Sequence, residues 1–360
     1  MDTQSSKILS RDPAIDLMRV ISILVILLHH LPAYGLNVWK ILDDALPLHL
    51  SFLGHQSRYL GLGSFVFISG YLLHGRNYRM KSLSDVTAFL KKRFVRIYPL
   101  YYLALIIYIS MFYIYLGREF TIANGFTHLF GMQLLYGRPV PTIWFISLVT
   151  LYYIFFALIR YMSQRRDLLL PLSAIIFALL VLIKAFFPPI DSRLVIYWPT
   201  FVFGIWFSSA HSRIDLLRCG VALTTTAMAS WVYLHYLCIP DSQPISLEFL
   251  VTTFVLSALM GGCNIVLLYI VRWVNWGKAG RWARLGAYAS YTVFLFHRPV
   301  YMITKELVEA SHASQLVVPA LFIASLFLFI GSYFLQVFVD RFLITIHHKP
   351  GSFVPTSLED

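Results

Sequence analysis

Three side chains near the start of this sequence could do chemistry. Arg19, His29 and His30 stand in RDPAIDLMRVISILVILLHHLP, residues 11–32, a stretch that is otherwise mostly apolar. An unperturbed imidazole exchanges its proton near neutral pH and suits a general base. A guanidinium suits the orientation of an anionic donor, or the offsetting of charge on a developing oxyanion. Spacing sorts the two histidines. At about 100° and 1.5 Å per residue, the steps from Arg19 to His30 end roughly 20° off, about 16 Å along the axis. The steps to His29 end roughly 80° away. Arg19 and His30 therefore share a stripe, and His29 faces elsewhere, as a structural histidine would. Asp16 lies one turn below Arg19, placed to pair with it at i,i+3. The plain alternative for His30 is a buried histidine bonded to a neighbouring helix; the cation on the same stripe favours chemistry.

The element that must position these groups is a membrane helix. About twenty mostly apolar residues span a bilayer, and residues 15–34 supply them. Titratable groups inside a span are costly and mark function. The composition agrees: 58% of the 360 residues are hydrophobic and 13% are charged, against about half and a quarter in soluble domains. The first apolar run is too long for a cleaved signal, holds Arg19 and lacks a small-residue cleavage pattern. The expected fold is all-α, a polytopic bundle of about ten membrane helices. They are predicted at 14–34, 58–75, 94–116, 142–160, 168–187, 194–210, 216–238, 247–271, 285–305 and 315–340. Residues 122–136 are apolar but short and broken, which predicts a re-entrant or interfacial helix. With the N-terminus inside, most of the 29 Lys and Arg fall in inner segments, so both termini are predicted cytoplasmic. The net charge of +12 is then a topology signal, and no nucleic-acid partner is expected. The chain divides into a polar cytoplasmic N-terminus (1–13), a transmembrane domain (14–345) and a cytoplasmic tail (346–360). Cys219, Cys238 and Cys263 show no metal or disulfide spacing and read as small apolar residues. No metal is expected.

Four further stretches qualify. Arg93 and Arg96 share a helix face in KKRFVRIYPLYY and suit phosphate oxygens. Their alternative, shared with Lys91 and Lys92, is orientation and lipid headgroup contact. Tyr98, Tyr101 and Tyr102 read as an interfacial aromatic belt, and Pro99 as tolerable near a helix start. Ser69 in FVFISGYLL is a weak nucleophile candidate; with Gly70 it reads rather as a close-packing site. Trp144 opens WFISLVTLYY at the outer boundary, where an anchor is the plain reading. SYTVFLFHRPV puts His297 and Arg298 at the depth of His30, which points to a shared outward cavity. Asp191, Asp241, Glu306 and Glu309 fall in outer loops and read as solvated.

P-loop, H-E-x-x-H, G-x-S-x-G and G-x-G-x-x-G motifs are absent. The ordered set resembles the integral membrane acyltransferase family 3, which includes O-acetyltransferases of surface polysaccharides. Arg19 and His30 match its basic-x10-His of the first span. Arg93 and Arg96 match its R-x-x-R at the third span, and residues 65–71, 144–153 and 290–299 resemble its other signatures. Many members carry a Glu shortly after the fourth-span Trp; Val149 and Thr150 occupy that region here. The resemblance covers residues 12–345. It implies acyl-coenzyme A, usually acetyl-CoA, as cytoplasmic donor and a hydroxyl of a sugar, glycolipid or polysaccharide as acceptor. It also implies residence in a bacterial cytoplasmic membrane, with membrane lipids as partners; self-association is left open. On that reading His30 is the general base, Arg19 orients the donor or offsets oxyanion charge, and Arg93 and Arg96 bind coenzyme A phosphates. His297, Trp144 and Ser69 are weaker substrate-binding candidates. The rival from another class is a transporter or flippase for a sugar, since buried charge also marks substrate paths. A non-catalytic scaffold in a polysaccharide assembly is a third.

Overall fold

A computed structural model describes residues 12–45, 51–75, 80–111, 117, 121–136, 139–163, 168–209, 216–233, 245–274, 276–277 and 279–347. Cys238, Asp241 and most of both polar termini lie outside them. Every regular element among the described residues is helical. In order these are α1 (Pro13–His30), α2 (Val38–Ala45), α3 (Ser51–Gly75), α4 (Leu83–Ile109), α5 (Ile122–Leu129), α6 (Trp144–Met162) and α7 (Leu169–Phe186). There follow α8 (Arg193–Ile196), α9 (Trp198–Ser209), α10 (Leu216–Val232), α11 (Leu247–Arg272), α12 (Ala279–Ala310) and α13 (Val317–His347).

Each of the ten predicted intervals holds helix, and the broken stretch after α4 holds only the short α5. Among the described residues, five helical segments are long and apolar enough to cross a membrane: Pro13–Tyr34, Trp144–Met162, Leu169–Phe186, Leu247–Arg272 and Val317–Thr345. The long helices α4 and α12 carry charge inside their length: Lys91, Lys92, Arg93 and Arg96 on one, Arg281, Arg284, Arg298 and Lys305 on the other. Apolar rings turn outward. Phe322, Phe327, Phe334, Phe338 and Phe342 of α13 are exposed while Leu321, Leu328 and Gln336 are buried. That is the pattern of a helix facing hydrocarbon on one side and protein on the other.

Local signals set the helix starts. Asp12 caps α1, accepting from the Ala14 amide at 2.9 Å, with Pro13 in the first turn. Ser82 and Asp85 form a capping box at the head of α4. The box starts α4 eleven residues before the predicted interval. Pro99 therefore sits inside a helix rather than near its start, and the basic run is helical throughout.

The central rod is α1, packed against α3, α11 and α12. Pro13 lies beside Gly280, Val20 beside Gly286 and His30 beside His297, so α1 and α12 run parallel. The Tyr291 hydroxyl donates to the Ile97 carbonyl at 2.8 Å and Arg96 lies by Tyr288, while Tyr108 lies by Arg298. Helix α4 is thus parallel to both. Helix α3 runs the other way, with Ser57 at the level of His29 and Gly61 at that of Ile26. Helix α13 is antiparallel to α12, since Tyr301 bonds Ser325 and Thr292 bonds Gln336. Helix α9 parallels α3, and at their crossing Gly70 and Gly204 each press against the other helix's backbone, at Phe201 and Phe67. Only a residue without Cβ permits that approach.

Candidate active site

Helix α1 ends in two adjacent histidines, which its pitch turns toward different neighbours. His29 faces α3, with Nδ1 2.9 Å from the Ser57 hydroxyl and 3.2 Å from the Gly54 carbonyl. His30 faces α12. Its Nδ1 lies 2.8 Å from the Ile26 carbonyl. A carbonyl oxygen can only accept, so Nδ1 carries the hydrogen and Nε2 is left with a lone pair. His30 is half-buried, and its ring meets that of His297 edge-on at 4.9 Å between centroids.

His297 repeats the arrangement. It is fully buried, its Nδ1 donates to the Phe294 carbonyl at 2.8 Å, and its Nε2 has no protein partner among the described residues. Two residues on, Pro299 lies inside α12 and removes one N–H from the helix ladder beside the site. Around the imidazoles stand Tyr34, Tyr108, Tyr301 and Arg298. The Tyr34 and Tyr301 rings are 5.6 Å apart, and Tyr301 shares a 2.8 Å hydrogen bond with Ser325. The Arg298 guanidinium lies beside the Tyr34 hydroxyl, close enough to act on Tyr108 and both histidines. Thr142, next to Tyr108, has φ +68°, a left-handed backbone that a branched residue rarely adopts.

The irregular backbone before α6 is held by buried side chains. Tyr101 donates to the His128 carbonyl, Ser147 to the Gly131 carbonyl, and Gln133 accepts from the Val140 amide at 2.9 Å. Such backbone survives at membrane depth only where protein satisfies it. This corrects the aromatic-belt reading. Tyr98 and Tyr101 are buried, because they clamp this segment; of the three tyrosines only Tyr102 is exposed.

Arg19 occupies the other end of α1. It pairs with the buried Asp16 at 3.5 Å, at the expected spacing. One unbroken helix separates it from His30 by about 16 Å. Arg93 and Arg96 lie at that same end but diverge. Arg93 stacks on Phe89 and Tyr153, at 5.4 and 5.3 Å, and lines a narrow cleft with Tyr98 and Thr150. Arg96 is exposed beside Tyr288 and Tyr291 of α12.

Trp144 lies at the histidine end, capped by the Arg193 guanidinium at 3.9 Å, itself paired with Asp191. Phe145 and Phe294 separate it from His297. Ser69 is not brought to this site. Its hydroxyl bonds back to the Phe65 carbonyl at 2.8 Å, about 18 Å along α3 from the level of the histidines. Among the described residues no three His, Cys, Asp or Glu side chains gather as a metal site would require.

The family model described as an acyltransferase domain, of acyltransferase family 3, matches residues 12–337. The chain belongs to that family. It is an acyltransferase, and the match spans both the histidine site and the basic end. None of the curated proteins and none of the solved structures is significantly similar to it. Of the site, sequence spacing marked Arg19, His30, Arg93, Arg96, His297 and Arg298. It missed Tyr34, Tyr108, Tyr301 and Thr142. Tyr34 and Tyr301, each one turn beyond a histidine of the pair, left a signal in the sequence.

Proposed function

We propose that this acyltransferase moves an acyl group, acetyl by preference, from acyl-coenzyme A on the cytoplasmic side to a sugar hydroxyl of a surface polysaccharide or glycolipid. The acceptor reaches the site from the other face of a bacterial cytoplasmic membrane. The observation that carries the reading is the His30 imidazole. Its Nδ1 is tied to Ile26, so Nε2 faces the buried cluster as a base in fixed orientation. The alternating directions of α1, α3, α4, α12 and α13 support ten crossings, and the inner positive charge supports cytoplasmic termini.

Nε2 of His30 takes the proton of the acceptor hydroxyl as that oxygen bonds to the acyl carbon. The thioester C–S bond breaks, and the proton passes to the leaving sulfur. Arg93 and Arg96 stand where phosphates of a cytoplasmic donor would lie, one guanidinium fixed by aromatic stacking and one open to solvent. Of the two roles considered for Arg19, donor orientation fits; at about 16 Å it is too far to hold an oxyanion formed beside His30.

The test is mass spectrometry of surface glycans and glycolipids from a strain lacking the gene, complemented with wild type or His30→Ala. Loss of an acetyl mass from one glycan, restored only by wild type, is expected. Unchanged glycans in every strain would sink the reading.

A further inference from the structure

Arg298 is a cation at the histidine end with no counterion among the described residues. Neighbouring charges are paired with one another instead, as in Arg193–Asp191 and Lys305–Glu309. The Arg298 Nε is enclosed and has no hydrogen-bond partner among the described residues. Its neighbours are the Tyr34 and Tyr108 hydroxyls and the two imidazoles, none of them a carboxylate. A half-buried guanidinium at membrane depth is costly when it stands alone. Its placement says where the missing charge comes from. Tyr34 closes the short turn Leu31–Tyr34 that follows α1, one turn past His30. Arg298 therefore lies on the opposite side of the imidazoles from Arg19, Arg93 and Arg96. The phosphates of a cytoplasmic donor are gathered at that other end, so the anion must arrive with the acceptor.

We propose that Arg298, with the Tyr34 and Tyr108 hydroxyls, binds an anionic group on the acceptor and thereby sets the acceptor hydroxyl against His30. The group is a carboxylate on an acidic sugar or the phosphate of a lipid-linked one. A planar guanidinium flanked by two hydroxyl donors matches either oxyanion. The site makes this enzyme selective for charged acceptors. That the anion arrives on the acceptor, and that it positions a hydroxyl against His30, rests on the acyl-transfer reading; that Arg298 binds an anion does not.

The experiment measures thermal stabilisation of the purified full chain by matched pairs: methyl glucuronide against methyl glucoside, and a polyprenyl phosphate against the corresponding polyprenol. At equal concentration the charged member of at least one pair stabilises and its neutral twin does not; which pair responds names the source of the charge. Arg298→Gln weakens that apparent affinity at least roughly tenfold, the scale of a hydrogen bond to a charged group. Arg298→Lys, which keeps the charge, retains part of it. His30→Ala keeps the stabilisation while acyl transfer falls, so a failure of the acyl-transfer reading leaves this one standing. Equal stabilisation by both members of both pairs overturns the proposal. So does an unaltered response in an Arg298→Gln protein that unfolds as cooperatively as wild type, or no response to either anion.

Discussion

His30→Gln removes the proposed base and keeps a side chain of similar reach. General-base catalysis contributes about 10²–10⁴-fold, which is about 2.7–5.4 kcal/mol of barrier at 1.36 kcal/mol per decade. If the base and the donor site are separate, as proposed, the loss falls on kcat alone. On the proposed reading Arg93 and Arg96 hold the donor, and Arg96 lies by Tyr288, nine residues and about 14 Å along α12 from His297. Donor KM should stay within about twofold of wild type. Stability should change little, since the half-buried ring gives up one 2.8 Å bond to a carbonyl of its own helix, worth about 1 kcal/mol. The assay is labelled acetyl transfer by purified enzyme, with kcat and donor KM measured separately and unfolding followed in parallel. His297 sets a second condition. Its ring is 4.9 Å from that of His30 and its Nε2 has no protein partner among the described residues. If it shares the proton, a His30→Gln/His297→Gln double variant will lose less than the sum of the two single losses. A His30→Gln enzyme within threefold of wild-type kcat, or one whose defect lies in donor KM, would refute the assignment.

Arg93→Ala and Arg96→Ala should each raise donor KM about tenfold or more, with a smaller effect on kcat; unchanged donor KM in both separates these side chains from the donor. Ser69→Ala should leave kcat and melting temperature nearly as they were, because the hydroxyl only bonds back to Phe65. Gly204→Val should cost several kcal/mol, because its side chain would enter the α3 backbone; a stable Gly204→Val protein would show that the crossing is looser than described. Hydrogen bonds from the Ser82 hydroxyl, the Ser82 amide and the Lys81 amide hold the Asp85 carboxyl below the usual carboxylate range. The stabilisation of the first turn of α4 is therefore fully present above the ordinary carboxylate pKa and is lost as pH falls through the lowered one. Asp85→Asn should remove that acid-sensitive fraying, as read by NMR of the Ser82–Val86 amides.

How much was legible depends on how local each signal is. The ten helical intervals follow from run length and apolarity, which a sequence displays directly. Their ends do not: Ser82 and Asp85 extend α4 through a charged segment that hydropathy treats as a loop, and α12 begins at Ala279, six residues before its predicted interval, in a stretch that holds Arg281 and Arg284. The stripe joining Arg19 to His30 was readable because both sit on one helix of fixed pitch. The cluster around Arg298 was not. It unites Tyr34, Tyr108, Thr142 and Arg298 from four distant stretches, and only packing brings them together. Tyr98 and Tyr101 misled because an aromatic beside a basic run looks the same whether it meets headgroups or clamps a buried loop.

The doubled histidine at the end of α1 has a consequence for how this site can change. Inserting one residue upstream within the helix turns everything beyond it by about 100° and advances it by about 1.5 Å. That slip swings His30 out of its seat beside α12 and delivers His29 into it. A deletion offers no such replacement, because Leu31 would follow. Tandem imidazoles thus make the first helix forgiving of added length and intolerant of lost length, an asymmetry that insertion and deletion libraries across residues 20–28 would expose.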